Sequence, residues 1–265
     1  MIELLPGGLE LAYDESGSGV PLLLVHGWPH NRTLWAGQLS GLPTQARCVA
    51  PDLRGFGSST VHGPYSIEQY ADDLVALLDA LGIEGAVVDG LSMGGYVALA
   101  MLRRHRTRVR ALILTSTRAA ADSEEARDKR TRLVEFVEQH GVEALAQRQL
   151  KAMVGTTTFE TRPQVRESLR ELMATAPADG VIGGLRAMAA RADATELLST
   201  IDVPTLVVGG AEDTFTRPEE LRAMADRIPG SRFELLAGCG HVCAYERPAA
   251  YNHVVGEFLS RFASS

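Results

Sequence analysis

The stretch Val88-Asp89-Gly90-Leu91-Ser92-Met93-Gly94-Gly95, VDGLSMGG, decides how the rest of the chain is read. Three glycines crowd one serine at the end of an apolar run. Glycine inside regular structure costs roughly 0.5–1 kcal/mol relative to alanine, so a cluster of it marks unusual backbone geometry or close approach. Upstream, Ala86-Val87-Val88-Asp89 reads as a strand. Downstream, Tyr96 to Arg104 reads as a helix, with Val97, Leu99, Ala100, Met101 and Leu102 apolar and Arg103, Arg104 and Arg106 at its C-terminal end. The G-x-S-x-G pattern therefore lies at a strand-to-helix junction, the setting of a nucleophile elbow. Such a turn holds the serine hydroxyl above a sheet, at a helix N-terminus whose dipole favours developing negative charge. The alternative is a glycine turn with a stray serine, and the partners described below argue against it.

Outward from the elbow, short apolar runs alternate with helical patterns. Pro21 to Val25 is a continuous apolar run, the mark of a strand buried on both faces. Ala46 to Ala50, Ala111 to Thr115, Thr205 to Val208 and Phe233 to Leu236 read the same way. Ile67, Tyr70, Ala71, Leu74, Leu77, Leu78 and Leu81 repeat at helical spacing, with Ser66 and Gln69 as a capping box and Gly82 as the stop. Strand alternating with helix predicts a mostly parallel α/β sheet with helices on both faces. Leu9 to Tyr13 is expected to add an antiparallel hairpin at its edge.

The pattern changes over residues 120–198, where helices appear without a convincing strand. Leu133, Phe136 and Val137 share one face; Val142, Leu145, Ala146, Leu150 and Met153 share another. Val165, Leu169, Leu172 and Met173 follow Pro163, which suits a helix start, and a fourth helix is expected over Ala178 to Ala190. The division expected is a core of residues 1–119 and 199–265 with a helical cap, or lid, of residues 120–198. Ligands of such sheets bind beyond the carboxyl ends of the strands, and a long insertion there serves as a lid. The insertion's charges nearly cancel, so it does not read as a basic recognition surface.

The whole chain has 265 residues, 45% of them hydrophobic, enough for a full core. Its formal net charge is −7, and no basic run is dense enough for a nucleic-acid footprint. No apolar stretch reaches membrane-span length, and the opening MIELLPGGLELAYDESG lacks the basic and apolar regions of a signal peptide. Cys48, Cys239 and Cys243 have no metal-ligand spacing and fit a reduced, cytoplasmic protein; a bridge between Cys239 and Cys243 is the disfavoured alternative.

A serine hydroxyl is hardly ionised near neutral pH and needs a base. After the strand Thr205 to Val208 come Glu212 and Asp213; G-x-x-D at that place favours Asp213 as the acid and leaves Glu212 as a solvated neighbour. After the last strand, Gly238-Cys239-Gly240-His241 puts a histidine on a glycine-rich loop, within reach of a serine at another strand end. Of the seven histidines, His241 is therefore the candidate general base. His30, His62, His105, His140 and His253 read as surface, loop or helix residues, and His26 as a loop-to-loop tie. Oxyanion donors are expected from the Met93 N–H and from the Trp28 N–H in the loop His26-Gly27-Trp28-Pro29. The Trp28 ring either belongs to the core or lines a substrate pocket.

These residues resemble the α/β-hydrolase family over nearly the whole chain: HGWP at 26–29, PDLRGFGSS at 51–59, GLSMGG at 90–95, GGAED at 209–213 and GCGH at 238–241, in the family's order. Within it the chain is similar to small bacterial carboxylesterases and enol-lactone hydrolases, which share GLSMGGYVA and a four-helix cap. The resemblance implies hydrolysis of small, short-chain carboxylic esters by a Ser92–His241–Asp213 triad, with Met93 and Trp28 as oxyanion donors and no metal or organic cofactor. Dehalogenases and most epoxide hydrolases of the fold use an aspartate where this chain has Ser92. Alternatives are a lactone hydrolase, for which a carboxylate-bearing lactone needs a cationic pocket residue, a perhydrolase side activity, and a low-turnover ligand receptor. A small-molecule ester or lactone is thus the expected partner; oligomeric state is open.

Two positions depart from the pattern. Asp89 ends the nucleophile strand where a small or apolar residue is expected. A buried carboxylate is costly unless paired or protonated, so a hydrogen bond to a neighbouring loop is the ordinary reading and tuning of the site the alternative. Cys243, just after His241, is assigned no chemistry.

Overall fold

The computed structural model describes residues 1–42 and 44–262. Its strands are β1 (Ile2–Leu5), β2 (Leu9–Ser16), β3 (Val20–Val25), β4 (Ala46–Pro51), β5 (Ala86–Leu91), β6 (Val109–Thr115), β7 (Thr205–Gly210) and β8 (Arg232–Leu236). They form one sheet in the order β1-β2-β4-β3-β5-β6-β7-β8. β1 and β2 make the expected antiparallel hairpin, and β2 is also antiparallel to β4. All pairings from β4 through β8 are parallel. The continuous apolar runs of the inner strands are explained by burial: Leu22, Leu23, Leu24 and Val25 of β3 are fully buried, with no solvent face to require alternation. The run Phe233 to Leu236 is not buried on both faces as expected: β8 is the edge strand, and Leu235 is exposed. Burying each such side chain stabilises by roughly 1.5–3 kcal/mol.

The strand order places the site. From β3 the chain goes to β4 on one side, and β5 pairs on the other. The crevice at such a reversal is where parallel sheets receive ligands. Val25 of β3 lies in register with Gly90 of β5, so His26–Trp28 and Leu91–Ser92 leave the sheet side by side.

Helix Ile67–Ala80 starts as expected, with the Gln69 N–H donating to Ser66 Oγ at 3.0 Å. The reciprocal half of the capping box does not form: the Gln69 amide donates to Asp73 at 2.9 Å, one turn on. Between β6 and β7 lie helices Glu124–Met153, Thr156–Thr161, Pro163–Ala174 and Ala178–Ala190. The first is two helices joined without a loop at Gly141, whose φ of 80° and ψ of 173° interrupt it. That break separates the two apolar stripes read from the sequence. No helix among the described residues is long and apolar enough to cross a membrane. The three cysteines are free and buried, so Cys239 and Cys243 form no bridge.

Candidate active site

Ser92 stands between β5 and helix Met93–Arg104 with φ 56° and ψ −111°, a conformation that L residues rarely adopt. Neighbouring contacts hold it there. The Ser92 N–H donates to the Thr115 carbonyl at 2.9 Å, and Thr117 Oγ1 donates to the Ser92 carbonyl at 2.8 Å. The flanking glycines make this approach possible. A Cβ on Gly90 would lie 2.3 Å from the Gly94 carbonyl oxygen, and one on Gly94 would lie 2.2 Å from the Val25 oxygen. Both contacts are with backbone, which cannot swing away, so neither position admits a side chain.

His241 Nε2 lies 2.8 Å from Ser92 Oγ, and His241 Nδ1 lies 2.9 Å from Asp213 Oδ2. An ionised carboxylate only accepts, so Nδ1 carries the ring proton and Nε2 is free to accept from the hydroxyl. Burial works to raise the Asp213 pKa, but the His241 charge and hydrogen bond outweigh it, aided by the Phe215 and Thr216 amides. The net result holds the carboxyl below its ordinary value. Those amides donate to Oδ1 at 2.8 and 3.0 Å, fixing the carboxylate plane. The Phe215 ring packs on His241 with centroids 5.1 Å apart.

Met93 follows Ser92 at the start of helix Met93–Arg104, and Trp28 lies in the loop after β3. A Cβ on Gly27 would come within 3.2 Å of Ser92 Cβ, so this loop lies directly against the elbow. Neither the Trp28 nor the Met93 N–H has an acceptor among the described residues. The Trp28 ring belongs both to the buried core and to a cavity wall. It is 7% exposed, lines the cavity over Ser92, and donates from Nε1 to the Val181 carbonyl of helix Ala178–Ala190 at 2.9 Å.

His26 ties loops together: its Nε2 accepts from the Leu53 N–H at 3.0 Å and its Nδ1–H donates to Gly27 O at 2.9 Å. Burial lowers its pKa, which keeps the ring neutral for these roles. His30 differs from the surface reading. It is 1% exposed, and burial together with the nearby His26 and His241 lowers its pKa to about 3.

Glu212 is not a solvated neighbour. It accepts from the Thr157 N–H at 2.8 Å and from Thr157 Oγ1 at 2.5 Å, capping helix Thr156–Thr161. Asp89 is fully buried and accepts from Tyr251 Oη at 2.7 Å and Thr115 Oγ1 at 3.0 Å. Its partners are thus a helix and a strand, where a loop was expected. Burial raises its pKa to about 7 against the pull of both hydroxyls. Cys243 is buried, and burial raises its thiol well above the ordinary value.

Glu246 was missed by sequence reasoning. Its buried carboxylate accepts from the Gly155 N–H at 2.9 Å and the Gly240 N–H at 2.7 Å, joining the inserted helices to the His241 loop. No local signal marks it, because its partners lie 91 and 6 residues away.

Above Ser92 and His241 opens a cavity of about 770 Å³, shared between the sheet's loops and the inserted helices. Met153 and Met188 come from those helices, and Phe215 from the loop after β7. Among the described residues no group of three or more His, Cys, Asp or Glu side chains could hold a metal ion.

A family model described as the alpha/beta hydrolase fold matches residues 20–248. The chain is 31% identical over 233 residues to 3-oxoadipate enol-lactonase 2 of Acinetobacter baylyi, covering 88% of this chain and 85% of that protein. Among solved structures it is similar to a thermophilic esterase from Thermogutta terrifontis, malate bound, at 40% identity and TM-score 0.96, covering 100% and 99% of the two chains. The enol-lactonase of Burkholderia xenovorans LB400 follows at 30% identity and TM-score 0.89, covering 98% and 100%.

Proposed function

The chain belongs to the alpha/beta hydrolase family, and on that premise we propose that it is a serine hydrolase that cleaves small carboxylic esters through an acyl-enzyme on Ser92. The observation that carries this is the unbroken relay Ser92 Oγ–His241 Nε2, 2.8 Å, and His241 Nδ1–Asp213 Oδ2, 2.9 Å, at a strained elbow. His241 Nε2 takes the Ser92 proton as Oγ attacks the ester carbonyl. The Trp28 and Met93 amides, without an acceptor among the described residues, receive the oxyanion. Asp213 orients the imidazole and stabilises its protonated form. The alcohol leaves with the proton held on His241. Water then gives its proton to His241, attacks the acyl carbonyl, and the carboxylic acid leaves as Ser92 is reprotonated. Residues 120–198 act as a cap over this centre, a reading supported by the Trp28–Val181 hydrogen bond and the cavity shared with helix Glu124–Met153.

The test is hydrolysis of p-nitrophenyl acetate, butyrate and octanoate by wild type and Ser92→Ala, with mass spectrometry of a rapidly quenched reaction. Turnover of the short esters, an acyl adduct on the Ser92 peptide, and a loss on the order of 10⁴-fold or more in Ser92→Ala are expected. Unchanged turnover in the variant would sink the mechanism. Lactone hydrolysis is the second reading, favoured by two enol-lactonases among the relatives at 30–31% identity. A higher kcat/KM on an enol-lactone than on every short ester would decide for it.

A further inference from the structure

Helix Glu124–Met153 carries six acidic and six basic side chains, so its charges sum to zero. They are not evenly placed around the cavity. Lys129, Arg130, Arg132 and Arg148 line it, and of the six acids only Glu135 does. Glu124, Glu125, Asp128, Glu138 and Glu143 are not part of the lining. Arg118, in the loop after β6, adds a fifth cation, and Asp122 a second acid. The cavity wall therefore has an excess of three positive charges in a chain whose formal net charge is −7.

Intramolecular pairing takes up only part of this excess. Asp122 is occupied by Arg130 and by the buried Arg191, and Lys129 pairs with Glu125 at 2.7 Å. Arg132 and Arg148 have no carboxylate within 4.0 Å among the described residues. Arg148 lies over the Phe136 ring, 4.6 Å from its centroid, which stacks the guanidinium and leaves its edge N–H donors open. Arg118 donates to the Phe215 carbonyl, and its nearest carboxylate, Glu220, is 3.7 Å away. Its buried Nε has no partner. A solvated helix face would show its acids and bases interleaved; here the bases face the same cavity as Ser92.

We infer that the cavity over Ser92 selects an ester or lactone that carries a second, ionised carboxylate, with Arg118, Arg132 and Arg148 as its specificity-determining cations. The inference rests on the hydrolase reading above for the reacting group, and on the cavity wall alone for the carboxylate. A guanidinium meets a carboxylate in a two-pronged geometry that a methyl group cannot replace. Half-esters of aliphatic dicarboxylic acids are the simplest members of this class. The carboxylate stays ionised throughout and takes no part in bond breaking.

The experiment compares monomethyl adipate with methyl hexanoate, which replaces the carboxylate by a methyl group at equal chain length. Two readouts are taken: kcat/KM for each ester, and the dissociation constant of each from Ser92→Ala by calorimetry. The wild type is expected to favour monomethyl adipate at least ten-fold. An Arg132→Met/Arg148→Met double variant and an Arg118→Met variant are each expected to lower that ratio several-fold, mainly through KM. A preference near one in wild type, unmoved by either variant, would overturn the inference. Ten-fold tighter binding of monomethyl adipate to Ser92→Ala without hydrolysis by wild type would uphold it while the hydrolase reading failed. Hydrolysis of both esters at equal rates would leave the hydrolase reading standing and the carboxylate inference refuted.

Discussion

Asp89 is a carboxyl group enclosed on every side, with Tyr251 and Thr115 hydroxyls as its polar partners. Those two hydroxyl oxygens lie 2.6 Å apart, so one small polar cluster joins β5, β6 and helix Pro248–Leu259 behind the elbow. Its stability consequence has a definite sign. The folded pKa is raised to about 7, whereas an unfolded aspartate titrates near 3.9. Below about pH 4 both states hold the proton and the group costs nothing. As pH rises from about 4 to 7 the unfolded chain releases the proton and the folded chain keeps it. Stability is then lost at up to about 1.4 kcal/mol per pH unit, and the loss levels off above pH 7. Asp89→Asn keeps the shape and removes the titration. Urea unfolding at pH 4.5 and pH 7.5 should show the variant gaining on wild type as pH rises. Parallel pH dependences for the two proteins would contradict a neutral Asp89. The same residue shows what the sequence could not supply: its oddity was visible at position 89, but its partner is 162 residues away.

At the scale of elements, the question is what keeps the inserted helices and the His241 loop in one geometry. Glu246 bridges Gly155 and Gly240, Glu212 caps helix Thr156–Thr161, and Trp28 reaches helix Ala178–Ala190. Each of these residues ties the core to an inserted helix or to the residue just before one. Glu246→Ala would leave two buried N–H donors without partners, each costing about 1–3 kcal/mol. The variant should unfold with about 3 kcal/mol less stability, and it should lose kcat on short esters, since Gly240 adjoins His241. Unchanged stability and kcat would mean that water replaces the carboxylate. The helices themselves were legible: the apolar stripes ended at Gly141 because a φ of 80° breaks the helix there. The short helix Thr156–Thr161 was not legible, because its four threonines favour helix weakly and its N-terminal cap comes from Glu212, a residue of another loop.

On the scale of the whole molecule, two fields oppose each other. The net charge of −7 repels anions at long range, while the cationic cavity wall attracts them locally. Charges on an exposed wall are screened over about 8 Å at physiological ionic strength. Raising NaCl from 50 to 500 mM should therefore raise KM for monomethyl adipate several-fold and leave methyl hexanoate nearly unmoved. Equal responses of the two esters would show that the wall does not hold the substrate's charge.

The sequence by itself determined the sheet, the elbow and the chain order of Ser92, Asp213 and His241. These follow from patterns a few residues long: apolar runs for strands buried on both faces, glycines where backbones touch, and polar residues just past strand ends. The tertiary structure decided which residues meet across long gaps. It buried His30, paired Asp89 with Tyr251, gave Glu246 its two donors, and set four of the helix's six bases along the cavity that Ser92 also lines. The charges of residues 124–153 sum to zero in the sequence, and a sum has no direction. Only packing of that helix against its neighbours fixes which face lines the cavity, and electrostatic attraction depends on that position.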